Sequence, residues 1–168
     1  HLSTASSVAM VRRAKAAGLP VTAEATTHHF TLTDAACVSY DPVFKVHPPL
    51  RTDSDLAAVR AGLADGTVDA VATDHAPHAP HAKERTFDEA PPGMLGLETA
   101  FALTLGESGL DLPEVLAVLS WRPAAIAGIA DRHGAIVVPG APANLCVVDP
   151  DETWTVSGAA MASRSHNT

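Results

Sequence analysis

The run "VDAVATD", residues 68–74, constrains the fold more than any other stretch of this chain. Its apolar residues do not alternate with polar ones. A strand of that kind is covered on both faces, as in a parallel sheet flanked by crossover helices. The segments before it fit that setting. Ser3 or Thr4 can cap a helix running to about Ala17, with Val8, Val11 and Ala14 on one face and Gly18 as its stop. "LPVTAEAT" (19–26) reads as a strand, and a second helix spans about 54–64 with Leu56, Val59 and Leu63 inward and Gly66 beyond it. Helix, strand, helix, strand, helix implies parallel strands joined by right-handed crossovers, hence an α/β fold.

In a parallel barrel, chemistry collects at the C-terminal strand ends. Three candidate ends occur here: His1, the segment "EATTHH" and Asp74. Asp74 alone could cap the next helix or pair with an arginine. With His75 and His78 close behind it, metal binding or proton transfer also fits, since zinc takes N and O ligands and such groups shuttle protons. The spacing leaves both readings open. His28 and His29 are adjacent, so in extended backbone they point to opposite sides. A structural role is expected for at least one. His81, His133 and His166 read as surface residues, and "RRAK" (12–15) as a solvated helix face.

After Asp74 a loop runs from 75 to about 96 with four prolines and two glycines. Loops this long inside compact domains are usually lids or binding loops. The polar stretch "HAPHAKERTF" (78–87) offers little apolar area to anchor it, which predicts mobility without ligand. Helical segments resume at about 97–107, 113–120 and 123–130. "HGAIVVPGAPANLCVVDPDETWTV" (133–156) carries β-rich pieces broken by Gly and Pro, which suggests a small β unit. The expected division is 1–132 for the α/β layer with loop 75–96, and 133–168 for part of a small β domain.

Charge and composition narrow the function. A net charge of −8 argues against general affinity for nucleic acid or anionic membrane. No apolar run reaches the roughly 18 residues of a membrane span. Cys37 and Cys146 stand far apart in no metal or redox spacing, and a reduced cytoplasmic compartment is the plain reading.

The segments "HLST", "VTAEATTHHFTLT", "KVHPPLR", "ATDHAPHA", "APPGMLGLETA" and "PANLCVVDP" occur in this order. Together they resemble the dihydroorotases of the bacterial class I type, in the cyclic amidohydrolase superfamily, along essentially the whole chain. The resemblance implies the C-terminal part of a (β/α)8 metal-dependent hydrolase barrel plus part of a small composite β domain, with the tail returning into that domain from Gly134. It implies reversible interconversion of N-carbamoyl-L-aspartate and L-dihydroorotate in pyrimidine synthesis. One or two zinc ions are implied, or other divalent metals, in a homo-oligomer that can associate with aspartate transcarbamoylase. His1 matches a metal ligand, and Asp74 matches a residue that is both metal ligand and general acid/base. His78 matches a contact to the substrate carboxylate region, and Pro92 and Gly93 a loop whose backbone meets substrate.

One substrate position departs from the family. His47 stands where the family carries an asparagine that contacts the ring, and an imidazole offers its donor and acceptor at a different reach. The family's early His-x-His pair, bridging carboxylate and further ligand His do not occur here and are expected upstream of residue 1. With only His1 and Asp74 as ligands, the 168 residues alone are expected to be inactive and to bind zinc weakly. Three alternatives remain: a hydantoinase or allantoinase, a catalytically silent scaffold subunit for aspartate transcarbamoylase, and a non-enzymatic α/β binding module.

Overall fold

A computed structural model describes residues 1–133 and 137–168. Helix α1 (Ala5–Ala16) begins at Thr4, whose hydroxyl accepts from the Ser7 N–H while Ser7 Oγ accepts from the Thr4 N–H. This reciprocal pair satisfies two donors that a helix start leaves open. Gly18, at φ +75°, turns the chain out of the helix. Strand β1 (Glu24–Thr26), helix α2 (Thr27–Thr31), helix α3 (Asp53–Ala64) and strand β2 (Ala70–Ala72) follow. Beyond β2 lie α4 (Pro80–Lys83), α5 (Ala100–Glu107), α6 (Leu112–Leu116), a π-helical turn at Ala117–Trp121, and α7 (Arg122–Ile126).

β1 and β2 pair in parallel, with Glu24 opposite Ala70, Ala25 opposite Val71 and Thr26 opposite Ala72. The Leu2 N–H donates to the Glu24 carbonyl at 2.8 Å, so the chain start lies along the other edge of β1. The expected parallel α/β order is therefore present, and three chain segments end at one rim. β1 is shorter than "LPVTAEAT" predicts. A strand exists only where a neighbour takes its backbone groups, and β2 extends over three residues. Pro20 has no N–H to give, and Leu19 and Val21 are exposed. The entry to β1 is held instead by Asp69, which accepts from the Ala23 N–H at 2.8 Å and pairs with Lys15 at 2.7 Å.

The core packs Val8, Ala25, Phe30, Val59, Leu63, Val68, Val71 and Val118 between the helices and the sheet. Each fully buried Val, Leu or Phe stabilises by about 1.5–3 kcal/mol. Gly62 permits this packing: a Cβ there would stand 3.0 Å from both Val68 Cγ2 and Val8 Cγ1. A second cluster, Val46, Leu50 and Met94, lies under the segment that leads toward α3.

The tail differs from expectation. Among the described residues of 133–168 there is no strand, and Val147 is fully exposed. A β piece with no adjacent edge to take its N–H and C=O groups stays irregular. The tail is tied elsewhere, through the Glu98 carboxylate, which accepts from the N–H groups of Ala162 (2.9 Å) and Ser163 (3.1 Å). Gly134, the expected point of return into a β domain, lies outside the described residues. Among the described residues no helix is long and apolar enough to cross a membrane.

α1 and α3 are joined at their N-termini, where Asp55 Oδ1 accepts the otherwise open Ala5 N–H at 2.8 Å. That bond, followed by the one from Thr52, lowers the Asp55 pKa below its ordinary range. Asp55→Ala should cost about 1 kcal/mol, the usual value of a lost cap, read by denaturant unfolding. The unfolded chain takes up this proton at higher pH than the folded one, so the contribution is complete above the ordinary aspartate range. It should fade as pH falls through that range. A wild-type advantage that persists unchanged in acid would rule this assignment out.

Candidate active site

The parallel register decides what meets at the rim. Because Thr26 lies opposite Ala72, the residues just after each strand face one another, and α2 starts where β1 stops. His28 and His29 are therefore helical rather than extended. In a helix, neighbours differ by about 100° in direction, so the two rings diverge without facing opposite ways. Their centroids are 4.4 Å apart with planes tilted by 58°. This corrects the expectation from extended backbone.

Asp74 sits between two imidazoles. His1 Nε2 is 3.7 Å from Asp74 Oδ1, and His28 Nε2 is 3.9 Å from Asp74 Oδ2. On its other side, His1 Nδ1 meets Glu24 Oε1 at 2.7 Å. The Asp74 backbone is held at φ +43°, a left-handed conformation uncommon for any residue but glycine. Its neighbours impose that turn. His75 bridges to Met94, and His75 Nδ1 accepts from the N–H groups of Gly96 (3.3 Å) and Leu97 (3.2 Å). Gly96 lies so close to the Thr73 carbonyl that a Cβ would collide with it. His75 thus acts as a brace for the turn.

His29 and His28 have opposite circumstances. His29 Nδ1 is 2.6 Å from Thr26 Oγ1 and its Nε2 is 2.8 Å from the Pro48 carbonyl, so both ring nitrogens are used. Burial lowers its pKa, against the pull of the Pro48 carbonyl. His28 is only 2% exposed, and neither of its nitrogens has a hydrogen-bond partner. Burial, with His29 beside it, lowers its pKa to about 3. Leaving a buried polar group unpaired costs about 1–3 kcal/mol. Extended backbone beyond the strand at 19–26 does not bring His28 to Asp74; the Thr26-x-x-His29 spacing, which closes one turn of helix, is the local signal for α2.

The expected substrate residues also converge. His78 Nε2 lies 3.0 Å from the Pro92 carbonyl, and Gly93, at φ +134°, packs so that a Cβ would stand 2.6 Å from Ala76 Cβ and 2.8 Å from His78 Nε2. Only glycine permits that approach. The Gly93 N–H donates to the Lys45 carbonyl at 2.7 Å. His47 is exposed between Lys45, bound to Gly93, and Pro48, bound to His29. It therefore borders the same rim.

The 75–96 loop is anchored more firmly than its polar sequence predicts. Lys83, buried on α4, donates to the carbonyls of Pro42 and Pro91, each at 2.9 Å. Burial, then the neighbouring Lys45, lowers its pKa. Lys45 Nζ donates to the Asp88 carbonyl at 2.9 Å. From the tail, Asn167 Nδ2 reaches the carbonyls of Ala76 (2.9 Å) and Gly93 (3.2 Å), and Ser165 is hydrogen-bonded to His78. No local pattern marks Asn167, since its partners are 91 and 74 residues away. His81, His133 and His166 are exposed, as expected.

His1 and Asp74 offer the nitrogen and oxygen donors that zinc takes, with their facing atoms too far apart to be a mere hydrogen bond. Among the described residues no three His, Cys, Asp or Glu side chains gather closely enough to hold an ion. The donor chemistry of the pair is of the kind a divalent cation takes.

Residues 1–166 match the amidohydrolase family. The chain is 51% identical over 172 residues to the dihydroorotases of Mycobacterium leprae (strain TN) and Mycobacterium tuberculosis (strain ATCC 25618 / H37Rv), covering 100% of this chain and 40% of each relative. It thus spans about 40% of the length of the curated relatives it matches. Among solved structures, the L-hydantoinase (dihydropyrimidinase) from Arthrobacter aurescens superposes with a TM-score of 0.86 at 28% identity, over 95% of this chain and 37% of that one.

The anchoring of the loop yields a prediction. Lys83→Met should keep the aliphatic stem and lose both charged hydrogen bonds, at roughly 2–3 kcal/mol. Hydrogen exchange of residues 84–94 should accelerate, measured by mass spectrometry. Unchanged exchange would mean that Lys83 does not hold the loop.

Proposed function

The chain belongs to the amidohydrolase family, and from that premise we propose that it forms part of a dihydroorotase, which interconverts N-carbamoyl-L-aspartate and L-dihydroorotate. One observation carries the reading. Identity to curated dihydroorotases is 51% across the whole chain, against 28% for the L-hydantoinase of similar shape. The fold belongs to the metal-dependent hydrolase barrels on the same grounds, and we assign residues 133–168 to part of its smaller composite domain.

In the hydrolytic direction water adds its oxygen to the ring amide carbonyl carbon, and the C–N bond breaks. Asp74, as carboxylate, accepts the proton lost by that water and delivers it to the departing nitrogen. In the biosynthetic direction the same group returns the proton. Its position between His1 and His28, on a turn braced by His75, supports this role because a shuttle must hold one direction while its proton changes hands. His1 and Asp74 would hold a divalent cation, which we take to be zinc. Bound there, it supplies Lewis acidity toward the amide carbonyl and makes water a stronger acid.

His78, Pro92 and Gly93 form one wall of the substrate site. The close approach at Gly93 leaves its backbone available to a ligand, and His78 lies beside the rim that Asp74 tops. His47 takes the place of an amide at the ring. The 75–96 loop covers the site and excludes water. We extend the reading to the cytoplasm, to a homo-oligomer, and to pyrimidine synthesis as its setting.

Two measurements on the full-length enzyme test this. With dihydroorotate as substrate, Asp74→Asn should lower kcat by roughly 10²–10⁴-fold and change KM much less. A variant that keeps most of its turnover would remove Asp74 from the chemistry, and a wild type that turns over hydantoin but not dihydroorotate would overturn the substrate. Separately, His47→Asn should keep or raise kcat/KM, because it restores an amide whose donor and acceptor match a ring amide. A large loss would give His47 a function of its own.

A further inference from the structure

His28 moves no proton and binds no substrate in the mechanism above, and its surroundings assign it a task of its own. It is buried on α2 with both nitrogens unpartnered among the described residues, and its Nε2 lies 3.9 Å from Asp74 Oδ2. His29, next along the helix, is fully bonded to Thr26 and Pro48. That bonding fixes the start of α2, and with it the place of His28. Asp74 is therefore bracketed, with His1 toward Oδ1 and His28 toward Oδ2. The backbone next to the acid is held from the side of residues 94–97, and the side-chain oxygens of the acid face these two rings.

We propose that His28 is a positioning residue for Asp74: its Nε2–H faces Oδ2, fixes the rotation of the carboxylate, and leaves Oδ1 for the side of His1 where the proton is exchanged. This rests on the dihydroorotase reading. An imidazole with one acceptor within reach adopts the tautomer that donates to it. The 3.9 Å separation exceeds a hydrogen bond in the free protein, and such contacts commonly tighten only in the working complex. A group that orients a catalytic or metal-bound carboxylate in this way is a second layer of the site.

The alternative is that His28 merely fills space. The two roles differ in sign. Replacing an unpartnered buried imidazole by an apolar side chain should leave stability equal or higher, whereas loss of an orienting donor should lower turnover. In the full-length enzyme His28→Leu should therefore unfold at the same or a higher temperature while kcat falls by about 10–100-fold, the usual cost of an orienting partner. KM should stay within about threefold, since substrate binding does not need the carboxylate rotamer. His28→Gln, which keeps a donor, should recover most of the lost kcat. His28→Met, unbranched and equally without a donor, replaces Leu if shape prevents folding.

A further readout does not depend on turnover. Titration of metal-free enzyme with Co²⁺ should give visible absorption bands that differ between wild type and His28→Leu, and resemble wild type in His28→Gln. Turnover by His28→Leu within twofold of wild type would overturn the proposal. So would equal impairment in Leu and Gln, or identical Co²⁺ spectra in all three. If wild type hydrolyses hydantoin rather than dihydroorotate, the substrate reading fails alone, because the same comparisons of kcat on that ring and of Co²⁺ spectra still judge His28.

Discussion

The pairing of two short parallel strands governs everything at the rim. Three residues on each side suffice, because the register Glu24–Ala70, Ala25–Val71 and Thr26–Ala72 leaves no choice about which residues emerge together. A slip by one position would turn every side chain of a strand to the other face. The buried Ala25 and Val71 would then leave the face packed on Val8, Phe30, Val59 and Val118, which that core opposes. Packing thus enforces a register that six residues could not hold alone, and the register brings α2 beside Asp74.

The site is supported from the opposite side by contacts of large sequence separation. His75 accepts from Gly96 and Leu97, Lys83 links Pro42 to Pro91, and Asn167 links Ala76 to Gly93. These bonds hold a loop that has few apolar side chains to bury. They explain how a segment rich in proline and polar residues is held against the rest of the fold. They also explain the strain at Asp74, whose left-handed backbone persists because both flanks are fixed.

A polar group buried without a partner is a net cost, and His28 and Asp74 meet at that cost. An imidazole held dry at 2% exposure, 3.9 Å from a carboxylate on a left-handed turn, is the arrangement from which the proposed pairing is argued. His29 is the contrast within one turn of helix: fully bonded, it serves the fold.

The sequence by itself determined the α/β order, the first helix with its cap at Thr4, the second helix near residues 54–64 and a buried strand within 68–74, of which residues 70–72 pair, and it singled out Asp74 as a candidate. Those are local properties: apolar periodicity, capping side chains, and an acid directly after an apolar run. It also carried the family, through six ordered segments. It misjudged the length of β1 and, among the described residues, the β pieces of the tail, because a strand depends on a neighbour's backbone that no local pattern contains. The tertiary structure alone decided that His28 faces Asp74, that His75 braces the turn and that Asn167 reaches the loop, since each contact joins segments tens of residues apart whose meeting is set by packing.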